Sequence, residues 1–263
     1  MRSLTKKLLT AFLGPDALMN LSNKRRLSRY TESTFDKILK EICSLENTVI
    51  FDVGANTGQS IIRFSRIFPD NPTIHSFEPI TKLADRMKQE FSGHANITVN
   101  NFALGAQKKK ETFFQAMKPD CSSFNKIDPD SSWAKEKGRR HGVDVNDFTV
   151  KEIEAEIQSL DSYVEEHRIE RINLLKIDTQ GYEDEVLKGA VDSLNDQKVD
   201  VIEAELIVGN AYEKRLSFNE IENLVYPYGY RFFGINTAGN ILDTPELSFD
   251  VLYVKSEIFE RFK

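Results

Sequence analysis

The sequence predicts an α/β fold in which a mostly parallel, doubly wound sheet carries helices on both faces. The first observation behind this prediction is that apolar strand patterns alternate with helical patterns from Val49 onward. The second is that glycines and acidic residues follow the predicted strands, at the ends where parallel sheets bind ligands. The third is a length of 263 residues with 40% hydrophobic residues, which suits one large domain with an insertion.

The elements up to residue 116 are two strand–helix pairs and two further strands. Each strand is a short apolar run, and Pro69 ends the first helix. In chain order they are strand Thr48–Val53, helix Gly58–Phe68, strand Thr73–Phe77, helix Thr81–Phe91, and strands Ile97–Asn101 and Glu111–Ala116.

The segment from about Lys118 to Thr149 interrupts this alternation. It is polar, contains the only tryptophan, Trp133, and is long for a connection inside a compact domain, so it is expected to be either functional or disordered. The alternation then resumes, and Ser217 with Glu220 has the spacing of a helix capping box. The later elements are strand Ile153–Gln158, helix Leu160–His167, strand Ile172–Ile177, helix Tyr182–Leu194, strand Val199–Ile207, helix Ser217–Tyr226, and strands Arg231–Ile235, Asn240–Leu242 and Asp250–Lys255.

The N-terminal residues form a basic arm on an acidic body. Residues 1–30 hold seven basic residues and one acidic residue, a net charge of +6, whereas the whole chain carries −6. Apolar spacing predicts a helix within residues 1–13 and another within 31–45. We expect this arm to cap the domain; contact of residues 1–30 with a membrane surface or a partner protein is the alternative. The expected division is a helical arm at 1–46 and a domain at 47–263 with a loop insertion at about 118–150.

The composition argues against several classes of protein. A net charge of −6 and a pI near 5.4 disfavour a nucleic-acid-binding protein. No apolar run approaches the roughly 18 residues of a membrane span, and the N-terminal apolar stretch is short for a secretory signal, so we expect a cytoplasmic protein. The two cysteines, Cys43 and Cys121, lack the spacing of a disulfide framework or a structural zinc site.

The stretch FDVGANTGQS, residues 51–60, is typical of a buried strand that enters a glycine turn and then a helix. Turns of this kind bind nucleotide-like ligands in α/β sheets. A dinucleotide is disfavoured, because the glycines are out of register for Gly-x-Gly-x-x-Gly and because Asp52 would repel a pyrophosphate at the helix N-terminus. The turn instead leaves room for backbone N–H groups to approach the carboxylate of an amino acid.

Residues after the other strands complete the outline of a ligand. Glu78, 20 residues past Gly58, is placed to accept hydrogen bonds from both ribose hydroxyls. Phe102-Ala103 can form an apolar wall beside an adenine. A ligand with an amino acid, a ribose and an adenine but no phosphate fits S-adenosylmethionine, whose positive charges suit Asp52. The predicted cofactor-binding residues are Asp52, Gly54, Ala55, Asn56, Gly58, Glu78, Pro79, Phe102, Ala103 and Asp178.

Six segments of the chain also form an ordered pattern. They are FDVGANTG, SFEP, NFALG, Cys121-Ser122-Ser123-Phe124, SLDSYVEE and LLKIDTQGYEDEVLKGA, and they cover roughly Asn47 to Val254. In this order and spacing they resemble the FkbM family of class I S-adenosylmethionine-dependent methyltransferases. The resemblance implies a seven-stranded Rossmann-like sheet with an antiparallel edge strand, for which Asp250–Lys255 is the candidate. It also implies methyl transfer to an oxygen.

Transfer of a methyl group to a hydroxyl requires an aligned acceptor oxygen and a general base within hydrogen-bond reach. Asp178, after the strand Ile172–Ile177, is our first candidate for the base, and it can alternatively hold the ammonium of the cofactor. Glu205 and His141 are the next candidates. A divalent cation bound by Asp178 with Glu203 or Glu205 is possible but is not predicted.

The acceptor is expected to meet Gln180, Trp133 and Arg140. Many relatives have Asp-x-Glu-Gly-x-Glu where this chain has Asp178-Thr179-Gln180-Gly181-Tyr182-Glu183, and Gln180 cannot act as a base but can orient an acceptor. The expected function is O-methylation of a sugar hydroxyl in polysaccharide or glycan synthesis. The alternatives are O-methylation of a small natural product or peptide-like acceptor, and a non-catalytic cofactor-binding module that serves assembly.

Overall fold

The computed structural model describes residues 33–43, 47–68, 70–142, 144–207, 209–214, 216–237 and 248–263. The predicted helix within residues 1–13, the predicted strand Asn240–Leu242 and the side chains of Arg140 and His141 lie outside the described part. The division between an arm at 1–46 and a domain at 47–263 stays a prediction. No helix in the described ranges is long and apolar enough to cross a membrane.

Strands make up two sheets. In chain order they are β1 (Val49–Val53), β2 (Thr73–Phe77), β3 (Ile97–Asn100), β4 (Ala103–Leu104), β5 (Lys109–Ala116), β6 (Thr149–Gln158), β7 (Ile172–Ile177), β8 (Val199–Ile207), β9 (Tyr230–Thr237) and β10 (Ser248–Lys255). The main sheet has seven strands in the order β3-β2-β1-β7-β8-β10-β9, and the second sheet has the order β4-β6-β5.

The main sheet confirms the predicted fold class. The pairs that join β3, β2, β1, β7 and β8 are all parallel. The strand Asp250–Lys255 is antiparallel as predicted and forms part of β10, but its predicted place at the edge is wrong. It pairs with β8 on one side and with β9, which forms the edge, on the other. The order changes direction at β1, which has β2 on one side and β7 on the other, so the crevice beyond β1 and β7 is the expected ligand site.

The helices follow the predicted order with three differences, the third of which is an additional C-terminal helix, Ser256–Glu260, that was not predicted. They are α1 (Thr34–Cys43), α2 (Gln59–Ile67), α3 (Thr81–Glu90), α4 (Ser132–His141), α5 (Leu160–Glu166), α6 (Glu183–Lys188), α7 (Val191–Asn195), α8 (Phe218–Val225) and α9 (Ser256–Glu260). The predicted capping box of α8 is confirmed, since the Ser217 side chain accepts from the Glu220 N–H and the Glu220 side chain accepts from the Ser217 N–H.

The first difference concerns the predicted single helix Tyr182–Leu194, which is wrong. The structure has two helices, α6 and α7, separated at Gly189. A Cβ atom at Gly189 would lie 2.0 Å from the backbone oxygen of Gly105. This close backbone approach is possible only for glycine, and α6 ends where it occurs.

The second difference concerns the insertion. The segment from Lys118 to Thr149 is not simply an irregular loop, because it contains α4 and two short 3₁₀ helices, Pro119–Cys121 and Val145–Asp147. The Ser131 hydroxyl caps α4 by accepting from the Ala134 N–H at 3.0 Å.

The second sheet packs its apolar face on the region after β7. Side chains from β5 and β6, including Phe113 and Ile157, join Phe124 and Tyr182 in one buried cluster. The opposite side of β6 carries the exposed residues Glu152, Glu154 and Glu156, as its alternating sequence predicts. The small sheet therefore lies against the segment that follows Asp178.

Candidate active site

The glycine turn lies between β1 and α2, pressed against the end of β7. Gly54 has φ +85°, and a Cβ atom there would lie 1.9 Å from the backbone oxygen of Asp178. A side chain at this position is excluded both by the left-handed backbone and by the neighbouring carbonyl. The turn and the end of β7 are thus in direct backbone contact.

The backbone N–H groups of the turn are already paired. Gly54 and Ala55 both donate to the Phe77 carbonyl, at 3.1 and 3.0 Å, and Gly58 donates to the Ala55 carbonyl at 2.8 Å. The Asn56 N–H donates to Glu78 Oε2 at 2.8 Å. The expectation that these N–H groups bind the carboxylate of a ligand is therefore corrected, because each of them has a partner within the protein.

Asp52 and Asn56 place buried acceptor oxygens, unpartnered within the described ranges, beside the turn. Asp52 is fully buried, and neither of its carboxylate oxygens makes a hydrogen bond of ordinary geometry to a described residue. Burial raises the pKa of Asp52 by more than the Ser60 hydroxyl lowers it. The Asn56 side-chain oxygen is likewise buried and unpaired among the described residues. Burial raises the pKa of Asp52 to about 6 despite the nearby Lys176. These groups favour a positively charged ligand over a phosphate.

Glu78 closes the same turn from the end of β2. Its oxygens accept from the Asn56 and Ile80 N–H groups, both at 2.8 Å, and burial raises its pKa to about 7. A carboxylate has about four acceptor positions, so each oxygen keeps capacity for one hydroxyl of a ligand. The Asn101 amide holds the turn by donating to the carbonyls of Glu78 and Pro79 at 3.0 and 3.2 Å.

Phe102 and Ala103 lie where the chain leaves the main sheet and enters the second sheet. The Phe102 ring packs against Phe77 and Tyr163, with centroid distances of 5.7 and 6.1 Å, and Ala103 begins β4. Both residues adjoin the Glu78 turn through Asn101. Their predicted contact with an adenine stays a prediction.

Asp178, Gln180 and Glu205 come together at the ends of β7 and β8. The Gln180 amide nitrogen donates to Asp178 Oδ1 at 3.1 Å and to Glu205 Oε2 at 2.5 Å. The Gln180 amide thus bridges the two carboxyl groups, whose titrations are linked by their closeness. Burial and the Asp178 charge raise the pKa of Glu205 well above its usual value, whereas Lys176 outweighs burial and holds the pKa of Asp178 low.

The loop that carries Gln180 is clamped by side chains on both sides. Buried Glu183 accepts from the N–H groups of Thr179 and Gly181 at 2.9 and 3.1 Å, so this carboxylate has a structural role. The Ser123 hydroxyl donates to the Gln180 carbonyl at 2.9 Å, and the Asn125 amide donates to the Gly181 carbonyl at 2.5 Å. Gln180 itself has φ +59°, a strained conformation that these bonds stabilise.

A row of alternating charges lies beneath the carboxylate pair, and the sequence reasoning missed it. Asp52, Lys176 and Glu203 are direct cross-strand partners on β1, β7 and β8. Lys176 Nζ lies 3.0 Å from Asp178 Oδ2 and 3.9 Å from Asp52 Oδ1. Arg63 of α2 pairs with both oxygens of Glu203, at 2.5 and 3.2 Å. We call Asp52, Lys176, Glu203 and Arg63 the charged row.

Trp133 joins the insertion to the site through Tyr212. The Trp133 ring lies 6.3 Å from the rings of both Tyr212 and Phe148, measured between centroids, and it is half-buried. Tyr212 is bridged to Ile127 of the insertion, and its hydroxyl lies 3.0 Å from Gln180 Oε1. These contacts fit an anchoring role for Trp133, and its contact with an acceptor stays a prediction.

The family can now be assigned by comparison with known proteins. The family model described as the methyltransferase FkbM domain matches residues 52–232 of the 263. The chain belongs to the FkbM methyltransferase family. The match includes the glycine turn, Glu78, the carboxylate pair and Gln180, so all of these site residues lie within the FkbM domain.

Individual relatives of this FkbM-family chain are distant. A protein named methyltransferase 1 from Beauveria bassiana (strain ARSEF 2860) is 23% identical over 163 residues, which are 60% of this chain and 63% of that protein. A solved FkbM methyltransferase from Methylobacillus flagellatus KT is 12% identical with a TM-score of 0.49, over 90% of this chain and 60% of that one. A magnesium protoporphyrin IX methyltransferase from Synechocystis PCC 6803, solved with bound S-adenosylmethionine, is 9% identical with a TM-score of 0.44, over 95% of this chain and 96% of that one.

The site of this FkbM-family chain fits the family's methyl donor, S-adenosylmethionine. The unpaired acceptors of Asp52 and Asn56 suit its positive charges, and Glu78 keeps acceptor capacity for its ribose hydroxyls. Among the described residues, no group of three His, Cys, Asp or Glu side chains is arranged to hold a metal ion. Glu203, named above as a possible metal ligand, has both oxygens engaged by Arg63.

We expect Tyr212→Phe to lower kcat about tenfold and to leave S-adenosylmethionine affinity nearly unchanged. The buried Tyr212 hydroxyl lies 3.0 Å from both Gln180 Oε1 and the Cys121 carbonyl, and its bond to Gln180 helps to turn the amide nitrogen toward the two carboxylates. The variant loses this bond. Tyr230→Phe is a matched control, because Tyr230 is also buried but its hydroxyl donates to the Val199 carbonyl at 2.6 Å. Both variants should lose about 1 kcal/mol of unfolding free energy. An unchanged kcat in Tyr212→Phe would contradict the orienting role.

Proposed function

We propose that this protein is an S-adenosylmethionine-dependent O-methyltransferase that methylates a sugar hydroxyl in polysaccharide or glycan synthesis. The observation that carries the proposal is the Asp178–Glu205 pair, joined by the Gln180 amide at the ends of two neighbouring parallel strands. All three side chains are partly open to solvent, whereas Asp52, Lys176 and Glu203 of the charged row beneath them are buried. An acceptor can therefore reach the pair.

The pair supplies the base that an oxygen acceptor needs. Bound S-adenosylmethionine provides an electrophilic methyl group on a sulfonium. When the pair is fully ionised, its carboxylates would accept the proton that the acceptor hydroxyl loses as the methyl group passes from sulfur to oxygen. The pKa for this step belongs to the pair and is raised by burial and by the closeness of the two charges, which makes the ionised pair a stronger base than an ordinary carboxylate.

Three features favour a hydroxyl-rich acceptor. Asp178 and Glu205 accept hydrogen bonds, and the Gln180 amide can donate or accept, so together they suit sugar hydroxyls. Trp133 offers an aromatic ring in the adjoining insertion, with its edge anchored by Tyr212 and Phe148. Lys135 and Arg139 of the insertion pair with Asp130 and Glu136, which weakens the case for an anionic acceptor.

The proposal is tested by methyl transfer from methyl-labelled S-adenosylmethionine. Neutral oligosaccharides, acidic oligosaccharides, small polyphenols or polyketides and hydroxyl-bearing peptides are supplied in parallel, and the labelled product is identified by mass spectrometry. Label on a sugar oxygen supports the proposal. Label on a natural product or a peptide alone would contradict the sugar proposal and would identify that class as the acceptor. Binding of S-adenosylmethionine without transfer to any class favours a non-catalytic module.

We expect S-adenosylmethionine to bind about tenfold more tightly at pH 8 than at pH 6, as measured by calorimetry. The pKa of Glu78 is about 7 in the free protein, so the carboxylate is largely protonated below that pH. Ribose hydroxyls that donate to Glu78 stabilise its ionised form, so affinity rises as pH rises through about 7. Asp52, with a pKa of about 6, acts in the same direction when a cation binds beside it.

The control for this pH dependence is Glu78→Gln. The variant keeps the size of the side chain but cannot ionise, so its affinity should be weaker and nearly independent of pH above about 7. The same slope in the variant and the wild type would contradict the assignment of Glu78 to the ribose.

A further inference from the structure

Lys176 is a buried charge that the proposed chemistry has not yet used. Its side chain is 7% exposed and lies in the middle of the main sheet, on β7. Lysine is almost never buried to this extent unless it is paired, because an isolated ammonium is strongly disfavoured away from water. A neutral side chain would avoid this cost in a central strand, so we expect the charge to have a role.

The geometry connects Lys176 directly to the carboxylate pair. Side chains alternate along a strand, so Lys176 and Asp178 project from the same face of β7. Lys176 Nζ contacts Asp178 Oδ2 at 3.0 Å, while the other oxygen of Asp178 accepts from Gln180. Each oxygen of Asp178 thus has its own donor, and the carboxylate is fixed in both position and charge.

We propose that Lys176 is a positioning residue whose charge, held against Asp178, allows the Asp178–Glu205 pair to be fully ionised at neutral pH. The inference rests on the proposed role of that pair as the base. Lys176 does not touch the acceptor in this proposal and acts only through Asp178. Without its charge, the pair would bind a proton more tightly and would act as a base only at higher pH.

Within the described part of the chain, Lys176 is the cation that directly contacts the pair, and the other groups around it do not favour ionisation of the pair. The titratable and charged groups that face Lys176 and the pair are Asp52 of β1, Arg63 of α2, Glu183 of α6, Glu203 of β8, Asp250 of β10 and Tyr212 of the loop after β8. Arg63 is already engaged by Glu203, and burial raises the pKa of Tyr212, which therefore stays neutral. The remaining groups are carboxylic acids, and their negative charges oppose loss of the proton. Burial lowers the pKa of Lys176, but Asp178, Asp52 and Glu203 outweigh it, so the ammonium stays charged.

The test is Lys176→Met, which keeps the length of the side chain and removes the charge. We expect the rising limb of the kcat–pH profile to move to higher pH by at least about one unit, with activity lost at neutral pH and largely recovered in alkali. Lys255→Met is the matched control. Lys255 is 6% exposed and pairs with Asp200 at 2.8 Å, so its replacement also breaks a buried ion pair, but away from the carboxylate pair.

A purely structural role for Lys176 predicts a different result. Both variants would then lose stability, and neither pH profile would move, which would overturn the inference. If Lys176→Met does not fold, the double variant Asp52→Asn with Lys176→Met removes a positive and a negative charge together. The rising limb should also move to higher pH in this variant, because Asp178 has still lost its ammonium partner.

A second measurement separates this inference from the proposed function. Carbon-13 NMR of labelled Asp and Glu carboxyl groups follows the titration of the pair in the ligand-free protein, with no acceptor and no turnover. If the wild type transfers no methyl group but Lys176→Met raises the titration midpoint of the pair, the proposed function fails and the action of Lys176 stands. If the midpoint is unchanged, the inference fails even for an active enzyme.

Discussion

Glu205→Gln is expected to lower kcat by about 10² to 10⁴, the usual contribution of a general base. The substitution keeps the shape of the side chain, and the new amide can still present its oxygen to the Gln180 amide group, as Glu205 does at 2.5 Å. The pair then keeps only the Asp178 carboxyl group. It loses the second carboxyl group, whose raised pKa makes the ionised pair a strong base. Single-turnover transfer from labelled S-adenosylmethionine measures the loss directly.

The binding step should be almost unaffected by this change. We expect the affinity of Glu205→Gln for S-adenosylmethionine to stay within about threefold of the wild type, because Asp52, Asn56 and Glu78 remain in place. Glu213→Gln is a suitable control, since Glu213 is an exposed glutamate close in sequence that lies outside the pair. A kcat of Glu205→Gln within tenfold of the control would exclude Glu205 as the base and return Asp178 to first place.

Gly54→Ala is expected to lower the unfolding free energy by about 3 kcal/mol or more and to abolish S-adenosylmethionine binding. The added Cβ would lie 1.9 Å from the Asp178 carbonyl oxygen and 2.9 Å from its carbon, in a backbone with φ +85°. Neither neighbour is a flexible side chain, so the turn or the end of β7 has to move. For a domain of this size, the loss corresponds to a fall in Tm of about 10 °C.

Gly93→Ala is the matched control for this prediction. A Cβ atom at Gly93 would meet no heavy atom within 4 Å, so the same chemical change is made in open space. Its Tm should stay within about 2 °C of the wild type, or rise slightly through the smaller entropy of the unfolded chain. Equal Tm values for the two variants would mean that the turn does not press on β7 as the structure describes.

Much of this fold and part of the site could be predicted from local sequence. The predicted strand Val199–Ile207 has the bounds of β8, because a run of mostly apolar residues marks a buried strand clearly. Glu78, Asp178 and Glu205 were found by a simple rule, that residues at the carboxyl ends of parallel strands meet at one edge. The broken helix at Gly189 could not be found, since it depends on a backbone contact with Gly105.

The charged row left a signal that was overlooked. Lys176 with Asp178, and Glu203 with Glu205, are polar residues two apart on or next to mostly apolar strands. Because side chains alternate, each pair projects from one face, and two such pairs on neighbouring strands predict a polar track through the sheet. The clamp by Ser123 and Asn125 left no such signal, because these residues are 56 positions or more from the carbonyls they bind.

The insertion leaves and rejoins the small sheet at neighbouring points. Ala116 and Thr149 are cross-strand partners, and the Met117 N–H donates to the Phe148 carbonyl at 2.8 Å. Evolution or engineering can therefore exchange much of this segment at low entropic cost, because its ends are held together by β5 and β6 whatever its length. Exchanges that keep Ser123 and Asn125 would preserve the clamp and so offer a route to new acceptors on an unchanged cofactor site.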